Sequence, residues 1–208
     1  MITKEYEIIL PFIKEPWKKF VFKEIKKITK KKSESYIYQS LKNFVKEGIL
    51  VEERIGKSIV YSLNLRSSKT QACCGFIAEY IAFTQKHVPN IEQITKKIPS
   101  SFYSLILTGS YANKTQKENS DLDLVIIIDD SLEPKKVYAE LKYYCERNIP
   151  IIHLYVFKKS EFLTMLTNKE ANYGKEIVKN NILLYGAESY YKIINEAIEN
   201  GFNDKNLS

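Results

Sequence analysis

The sequence predicts an α+β fold in which three helices and a β-hairpin precede a small α/β unit with a mixed sheet. Helical periodicity followed by one hairpin pattern fills residues 4–66, whereas strand-sized apolar runs alternate with helical segments after residue 88. Charge divides at the same place, because residues 1–66 carry 15 Lys and Arg against 8 Asp and Glu, and residues 67–208 carry 17 of each. We therefore expect a domain at 1–66, a linking helix at 67–87 and a second domain at 88–208.

The composition is that of an ordinary globular protein. Hydrophobic residues make up 44% of the 208 residues and charged residues 27%, which argues against disorder. The longest apolar runs are strand-sized, so we expect no membrane span, and the N-terminus lacks a signal-peptide layout. Three cysteines without a CxxC pair and two histidines argue against a structural zinc site or a disulfide framework. A reducing cytoplasm is the expected location.

The first two helices are short. The segment "EYEIILPFIKE" has apolar residues close to helical spacing, with Pro11 expected at a kink or in a first turn. The segment "FKEIKKIT" predicts a second helix that turns Phe22, Ile25 and Ile28 inward.

A third helix and a hairpin follow. Ser33 is a good N-cap and Gly48 a natural stop. Between them one buried stripe is formed by Ile37, Leu41, Phe44 and Val45. Apolar and polar residues then alternate on both sides of Gly56 and Lys57, which predicts a two-stranded hairpin.

Three short helices followed by such a hairpin resemble the winged helix-turn-helix domains of bacterial and archaeal regulators, above all in "SYIYQSLKNFVKEGILVEERIGKSIVYSLN". The resemblance implies a double-stranded DNA partner, which agrees with the net charge of +7. Residues expected to face the DNA are Lys30, Lys31, Lys32, Ser35, Tyr36, Gln39, Lys42, Asn43, Arg54 and Lys57. The alternative is a winged helix used for dimerisation or protein contact, with solvated lysines.

Residues 67–87 form the linking helix. Its expected inner face comprises Cys73, Phe76, Ile77, Tyr80, Ile81 and Thr84. His87 is expected at a helix end, as a surface or capping residue, and Cys73 and Cys74 as small core residues. A shorter helix is expected in "NIEQITKKI".

Two aspartates open the second of two strands in "FYSLILTGSYANKTQKENSDLDLVIII". Because side chains alternate along a strand, Asp121 and Asp123 should share one face while Leu122 and Leu124 occupy the other. Their Cα atoms would lie roughly 6–7 Å apart, so the carboxylates could converge on one or two divalent ions. Mg²⁺ or Mn²⁺ suits such oxygen ligands.

The preceding turn is built for an anion. Gly109 has no side chain, so a phosphate can approach its backbone closely. Ser110 adds a hydroxyl where a helix would begin.

Gly109, Ser110, Asp121 and Asp123, with Ser120 in "SDLDL", resemble the motif of minimal nucleotidyltransferases of the DNA polymerase β superfamily. The resemblance spans about residues 88–200, and "GKEIVKNNILLYGAESYYKII" looks like the C-terminal part of archaeal members. It implies Mg²⁺-dependent transfer of a nucleoside monophosphate from a nucleoside triphosphate to an acceptor such as a hydroxyl, with pyrophosphate released.

Two departures from the family stand out. Asn113 and Lys114 replace a common Arg-Gly pair, although Lys114 could still neutralise phosphate charge. The strand expected to carry a third carboxylate, "IPIIHLYVF" at 149–157, has none. Its His153 could be a general base, a metal ligand or a core histidine.

Other acidic residues were weighed for the missing role. Glu146 and Glu161, from nearby helices, are the alternatives if the third carboxylate is replaced. Asp129 and Asp130 are expected to form a strand-end turn.

Further helices are predicted in "EPKKVYAELKYYCERN", "SEFLTML" and "AESYYKIINEAIEN", and the tail "GFNDKNLS" is expected to fray. Three functions remain open: a nucleotidyltransferase brought to DNA by its winged helix, a transcription regulator whose degenerate second domain senses nucleotide, or an antitoxin-type nucleotidyltransferase that modifies a partner toxin. A homodimer is a further option.

Overall fold

Two separate sheets organise residues 5–207, the part of the chain that this computed structural model describes. One is antiparallel with three strands, and the other is mixed with four. The predicted α+β class with a mixed sheet is confirmed. No helix in residues 5–207 is long and apolar enough to cross a membrane.

The N-terminal elements are those that periodicity predicts, plus one strand. In chain order they are α1 (Tyr6–Lys14), β1 (Phe20–Val21), α2 (Phe22–Thr29), α3 (Glu34–Lys46), β2 (Leu50–Ile55) and β3 (Ser58–Leu63). The sheet order is β1-β3-β2, and the hairpin turns between Ile55 and Ser58. Strand β1 was not predicted because two residues are too few to show alternation.

Local sequence explains where these helices begin and which side they bury. The Ser33 hydroxyl accepts a hydrogen bond from the Tyr36 amide at the start of α3. Pro11 lies inside α1 and is buried. In α2 only Ile25 is fully buried, and the expectation that Ile28 faces inward is wrong, since 47% of it is exposed.

The second sheet carries the C-terminal half of the chain. Its strands are β4 (Tyr103–Thr108), β5 (Leu122–Ile128), β6 (Ile152–Lys158) and β7 (Ile182–Tyr185), in the order β6-β5-β4-β7. Only β5 and β6 run parallel. Because β4 and β5 occupy the centre and are covered on both faces, they are nearly continuous apolar runs.

Helices surround this sheet. They are α4 (Ser68–Thr84), α5 (Glu92–Thr95), α6 (Gly109–Asn113), α7 (Pro134–Arg147), α8 (Lys159–Thr167), α9 (Tyr173–Lys179) and α10 (Ala187–Glu199), with a closing 3₁₀ turn at Asp204–Leu207. Helix α9, only seven residues long, was not predicted.

The linking helix α4 buries a different face from the one expected. Phe76 and Tyr80 are exposed, whereas Cys74 and Gly75 are buried. A Cβ on Gly75 would lie 2.7 Å from the backbone nitrogen of Glu188 at the start of α10. The closeness of α4 and α10 therefore requires small residues, and it turns the bulky aromatic residues outward.

One hydrophobic core joins the N-terminal elements to the second sheet. It runs from α1 and α3 through α4 to α10. The Tyr191 hydroxyl of α10 donates a hydrogen bond of 3.0 Å to the Ile13 carbonyl, one of the free carbonyls in the last turn of α1.

The C-terminal tail is part of this core. Phe202 is only 2% exposed and packs edge-on against Trp17, with ring centroids 5.4 Å apart. The expectation of a frayed tail is therefore wrong for the described residues, because an aromatic residue there finds a buried partner in the N-terminal part.

Replacing Tyr191 by Phe should lower the free energy of unfolding by about 1–3 kcal/mol, because it leaves the buried Ile13 carbonyl without a donor. Urea unfolding measures this as a lower midpoint with an unchanged slope. Tyr143→Phe, at an exposed tyrosine of α7, should have almost no effect. Equal midpoints for wild type and Tyr191→Phe would contradict a stabilising role of the bond.

Candidate active site

The two aspartates of the motif lie where β5 begins. Asp121 directly precedes the strand and Asp123 is its second residue, while Leu122 and Leu124 are fully buried on the opposite face. Asp123 is in register with Thr108 at the end of β4 and with His153 on β6. The alternation of the strand thus brings both carboxylates to one face at one end of the sheet.

His153 lies beside both carboxylates. Its Nε2 is 3.4 Å from Oδ2 of Asp121, and its Nδ1 is 3.7 Å from Oδ1 of Asp123. The His153 side chain is 55% exposed, so the interpretation as a core histidine is wrong. Strand β6 therefore places an imidazole where the family resemblance implies a third carboxylate.

Gly109 lets Asp123 rest directly on the backbone of the turn after β4. Its φ is +65°, a left-handed conformation that favours glycine. A Cβ at this position would overlap Oδ2 of Asp123. The glycine and the carboxylate therefore form one close-packed unit, which agrees with the spacing that the sequence shows between them.

The helix that follows the glycine is a single turn. Ser110 lies within α6 and is half-buried, and Lys114 ends it with a φ of +58°. Lys114 is exposed and forms no ion pair with any residue in 5–207. The Ser120 hydroxyl accepts a hydrogen bond of 2.8 Å from the Lys117 amide, so this side chain shapes the loop before β5.

Burial makes the charged form of Asp123 costly. Desolvation is the largest cause that raises the pKa of Asp123; the nearby His153 opposes this increase, and the negative charge of Asp121 adds to it. Neither aspartate pairs with a Lys or Arg in the described part of the chain. The site therefore holds two adjacent acidic groups with little positive charge to balance them.

A divalent cation fits this pair. Their side chains are 43% and 26% exposed and offer hard oxygen donors, which Mg²⁺ prefers. Across residues 5–207, no three or more His, Cys, Asp or Glu side chains group in a way suited to hold a metal. The protein would thus supply two carboxylates, and substrate phosphates and water would supply the other ligands.

A cleft of about 240 Å³ opens at the aspartates. It is lined by Thr108, Gly109, Asn113, Asp123, Tyr155, Tyr173, Glu176 and Asn180. The sequence analysis missed four of these, namely Tyr155, Tyr173, Glu176 and Asn180. Tyr155 follows His153 by two residues on β6, so alternation could have found it. The other three reach the cleft through the packing of α9, which no local pattern shows.

Two tyrosines close one wall of this cleft. The rings of Tyr155 and Tyr173 have centroids 4.7 Å apart. Burial raises the pKa of Tyr173 well above its ordinary value, and Tyr155 and Asp123 add to the shift. Tyr173 therefore stays neutral at physiological pH, so it adds no negative charge beside the aspartates.

The other acidic residues are engaged away from Asp123. Glu146 pairs with Lys142 on α7, although it shares a shallow depression with His153. Glu161 accepts a hydrogen bond from the Lys158 amide at the start of α8.

The turn after β5 uses the remaining aspartates. Asp129 accepts hydrogen bonds from Ser131, and Asp130 accepts them from Ser160. Both acids stabilise loop structure at the far end of the strand. His87 lies after α4, with Nε2 3.2 Å from the Tyr111 carbonyl.

On the predicted DNA-facing side, several polar residues already have partners. Lys31 pairs with Glu7, Lys42 with Glu52, and the Asn43 amide donates to Glu5. Other contacts are internal, since Gln39 donates to Asn43 and the Arg54 Nε donates to the Gly56 carbonyl. Tyr36 is half-buried against the core, whereas Lys30, Lys32, Ser35 and Lys57 are exposed.

Asp123→Asn should stabilise the metal-free protein at pH 7. A carboxyl group whose pKa is raised by folding destabilises the fold above that pKa, and the penalty disappears as pH falls toward the ordinary aspartate value near 4. The variant should therefore melt higher at pH 7, by about 2–4 °C for each kcal/mol relieved. The gain should shrink as the pH is lowered. Thermal melts across pH without divalent cations test this, and a lower Tm at pH 7 would contradict it.

Comparisons with known proteins agree with the position of the motif. Residues 88–184 match the family model described as "Nucleotidyltransferase domain", and this range contains Gly109, both aspartates and His153. A solved structure titled "Crystal structure of the toxin-antitoxin with AMP-PNP" matches at 16% identity with a TM-score of 0.39, covering 52% of this chain and 82% of that chain. No curated protein matches the chain. Residues 88–184 are therefore similar to nucleotidyltransferase domains.

Proposed function

We propose that the C-terminal part transfers a nucleoside monophosphate from a nucleoside triphosphate to an acceptor hydroxyl and releases pyrophosphate. The observation that carries this proposal is the grouping of Asp121 and Asp123 around His153 beside the Gly109 turn. The family match over residues 88–184 supports the same reaction class.

Asp121 and Asp123 would hold a divalent cation, Mg²⁺ or Mn²⁺. When bound, the cation neutralises charge on the phosphate oxygens during transfer. The aspartates gain from the same contact, because a positive ion removes their mutual repulsion and the desolvation penalty on Asp123. This is the physical reason for two acids at the front of an otherwise apolar strand.

The turn after β4 would hold the triphosphate. Gly109 offers a backbone that a phosphate can approach, and Ser110 offers a hydroxyl. Lys114 supplies an exposed ammonium without an acidic partner in the described residues. Its left-handed φ of +58° is disfavoured for lysine by about 1–2 kcal/mol, so a functional use of that charge would explain why a glycine does not stand there.

His153 would act as the general base. In the reaction the acceptor oxygen forms a bond to the α-phosphorus, and the bond from that phosphorus to the bridging oxygen of pyrophosphate breaks. The proton of the acceptor hydroxyl passes to the His153 imidazole, which is 55% exposed and therefore open to an acceptor.

Asp121→Asn and Asp123→Asn should each weaken binding of Mg²⁺ and nucleoside triphosphate at least about tenfold and reduce transfer at least about 100-fold, because each removes a charged ligand of the cation. Calorimetric titration with magnesium nucleotides measures binding, and incorporation of α-labelled nucleotide into protein, RNA or DNA acceptors measures transfer.

The matched control for this experiment is Asp129→Asn, which removes an acid from the other end of β5 and should retain wild-type binding and transfer. His153→Ala should keep nucleotide binding but lose transfer, whereas His153→Asp should restore part of it by supplying a carboxylate base. Binding with no transfer in wild type would instead support the nucleotide-sensing interpretation. Wild-type behaviour of Asp121→Asn would end the transferase proposal.

We further propose that residues 1–66 form a winged helix-turn-helix domain that binds double-stranded DNA. The order of three helices and a hairpin, with a third strand beside the hairpin, supports this. The excess of basic residues in this part supports it as well. The interpretation as an antitoxin that modifies a partner toxin stays a prediction, for which co-purification with a small nuclease is the test.

Wild-type protein should bind duplex DNA with an affinity that falls steeply with salt. Each phosphate contact adds about −0.9 to the slope of log K against log salt concentration. Fluorescence anisotropy with a labelled duplex gives this slope. Binding that is absent at low salt, or unaffected by salt, would contradict the DNA-binding proposal without touching the transferase proposal.

A further inference from the structure

We propose that the N-terminal part binds the backbone of duplex DNA through a lysine-lined concavity at α2, not through the exposed face of α3, and without reading base sequence. This inference rests on the DNA-binding function proposed above and names its surface and mode. It moves the contact from the helix that the sequence favours to the helix before it.

The concavity, here called the α2 basic groove, is defined by six lysines around α2 and the turn that follows. They are Lys23, Lys26, Lys27, Lys30, Lys31 and Lys32. With a volume of about 820 Å³, it is larger than the cleft at the aspartates. Phe22 and Glu34 complete its lining, so Glu34 is its single acidic residue.

Most of this charge is available to a partner. Lys26 pairs with Glu34 and Lys31 with Glu7. The other four lysines, Lys23, Lys27, Lys30 and Lys32, are exposed and have no acidic partner among residues 5–207. A concave surface that gathers four unbalanced positive charges attracts a polyanion strongly.

The face of α3 has the opposite character. Lys42 is bound by both carboxylate oxygens of Glu52, at 3.1 and 2.8 Å, and Lys19 nearby is bound by Glu53. Strand β2 thus places acids against the cations that would meet phosphates. A nucleic acid approaching this face would have to break these pairs or accept two nearby carboxylates.

The side chains of α3 that could read bases are also engaged. Gln39 donates to Asn43 at 3.1 Å, and Asn43 donates to Glu5 at 3.2 Å. Readout of a base edge needs free donors and acceptors in the groove. With these amides committed to one another, we expect little discrimination between sequences.

The backbone at Lys30 gives an independent indication. Lys30 ends α2 with a φ of +53°, where glycine or asparagine is normally favoured. Lys30 and Lys114 are the only non-glycine residues with positive φ in the described part of the chain. Since lysine is disfavoured here, its presence points to a use for the charge.

The dimensions and chemistry of the groove favour a duplex. Between Lys23 and Lys30, α2 rises about 10 Å, over which B-form DNA presents about six phosphate charges. Single-strand binding relies on exposed aromatic platforms, but Phe22 of this groove packs against the core. Membrane-surface helices need a broad apolar face, whereas Ile28 is the one exposed large apolar residue of α2.

The test compares two full-length variants that lose the same number of positive charges. One removes the groove charges (Lys23→Gln, Lys27→Gln, Lys30→Gln and Lys32→Gln), and the other removes those of α3 and the hairpin (Lys42→Gln, Lys46→Gln, Arg54→Gln and Lys57→Gln). Anisotropy is measured on duplexes of two unrelated sequences, at roughly 50–200 mM salt.

The groove variant should lose about 0.9 of slope for each phosphate contact and at least about 100-fold in affinity near 100 mM salt. The α3 variant should stay within about threefold of wild type, and the two duplexes should bind wild type equally within the same factor. A larger loss in the α3 variant, or strong preference for one duplex, would overturn the inference while leaving DNA binding intact. No wild-type binding would overturn both.

Lys30→Gly separates binding from folding. It should raise the Tm, because glycine suits the left-handed backbone, yet weaken duplex binding by about eightfold near 100 mM salt. Unchanged affinity would count against the groove. Single-stranded DNA and vesicles of anionic phospholipid serve as competitors; either one displacing the duplex at equal charge concentration would overturn the assignment to duplex DNA.

Discussion

The repulsion between two carboxylates at the start of a buried strand is the constraint on which the site depends. Leu122 and Leu124 anchor one face of β5 in the core, and so the alternation of the strand forces Asp121 and Asp123 onto the other. Burial opposes the charge on Asp123, and no lysine or arginine in the described residues relieves it. A site with this imbalance is stable as a cation site and costly as anything else. Gly109 and His153 are arranged around that imbalance.

The family resemblance and the structure meet at His153. An imidazole on the parallel neighbour of β5 occupies the register opposite Asp123, where a third carboxylate is implied. An imidazole can accept a proton as a carboxylate does, but it adds no negative charge to a site that already has two. The substitution therefore keeps a proton acceptor and changes the demand for positive charge, which bears on cation affinity as much as on chemistry.

The N-terminal and C-terminal parts share one core. Tyr191 and the Trp17–Phe202 contact tie α10 and the tail to the segment around α1, and α4 packs along α10. A nucleic acid held at the α2 basic groove would thus be attached to the same rigid assembly as the catalytic cleft. Tethering of this kind raises the local concentration of an acceptor carried by that nucleic acid.

The sequence by itself determined the two strands of the motif, the shared face of Asp121 and Asp123, the helices of the N-terminal part and the hairpin turn, because each is a local pattern of period 2 or 3.6 with a cap or glycine at its end. Only the tertiary structure decided that His153 meets both aspartates, that α9 adds Tyr173 and Glu176 to the cleft, and that Phe202 is buried. It also decided which lysines are free: Lys42 and Lys27 look alike in the sequence, but Glu52 reaches one and no acid in the described residues reaches the other. Such pairings join residues far apart in the chain, and periodicity carries no information about them.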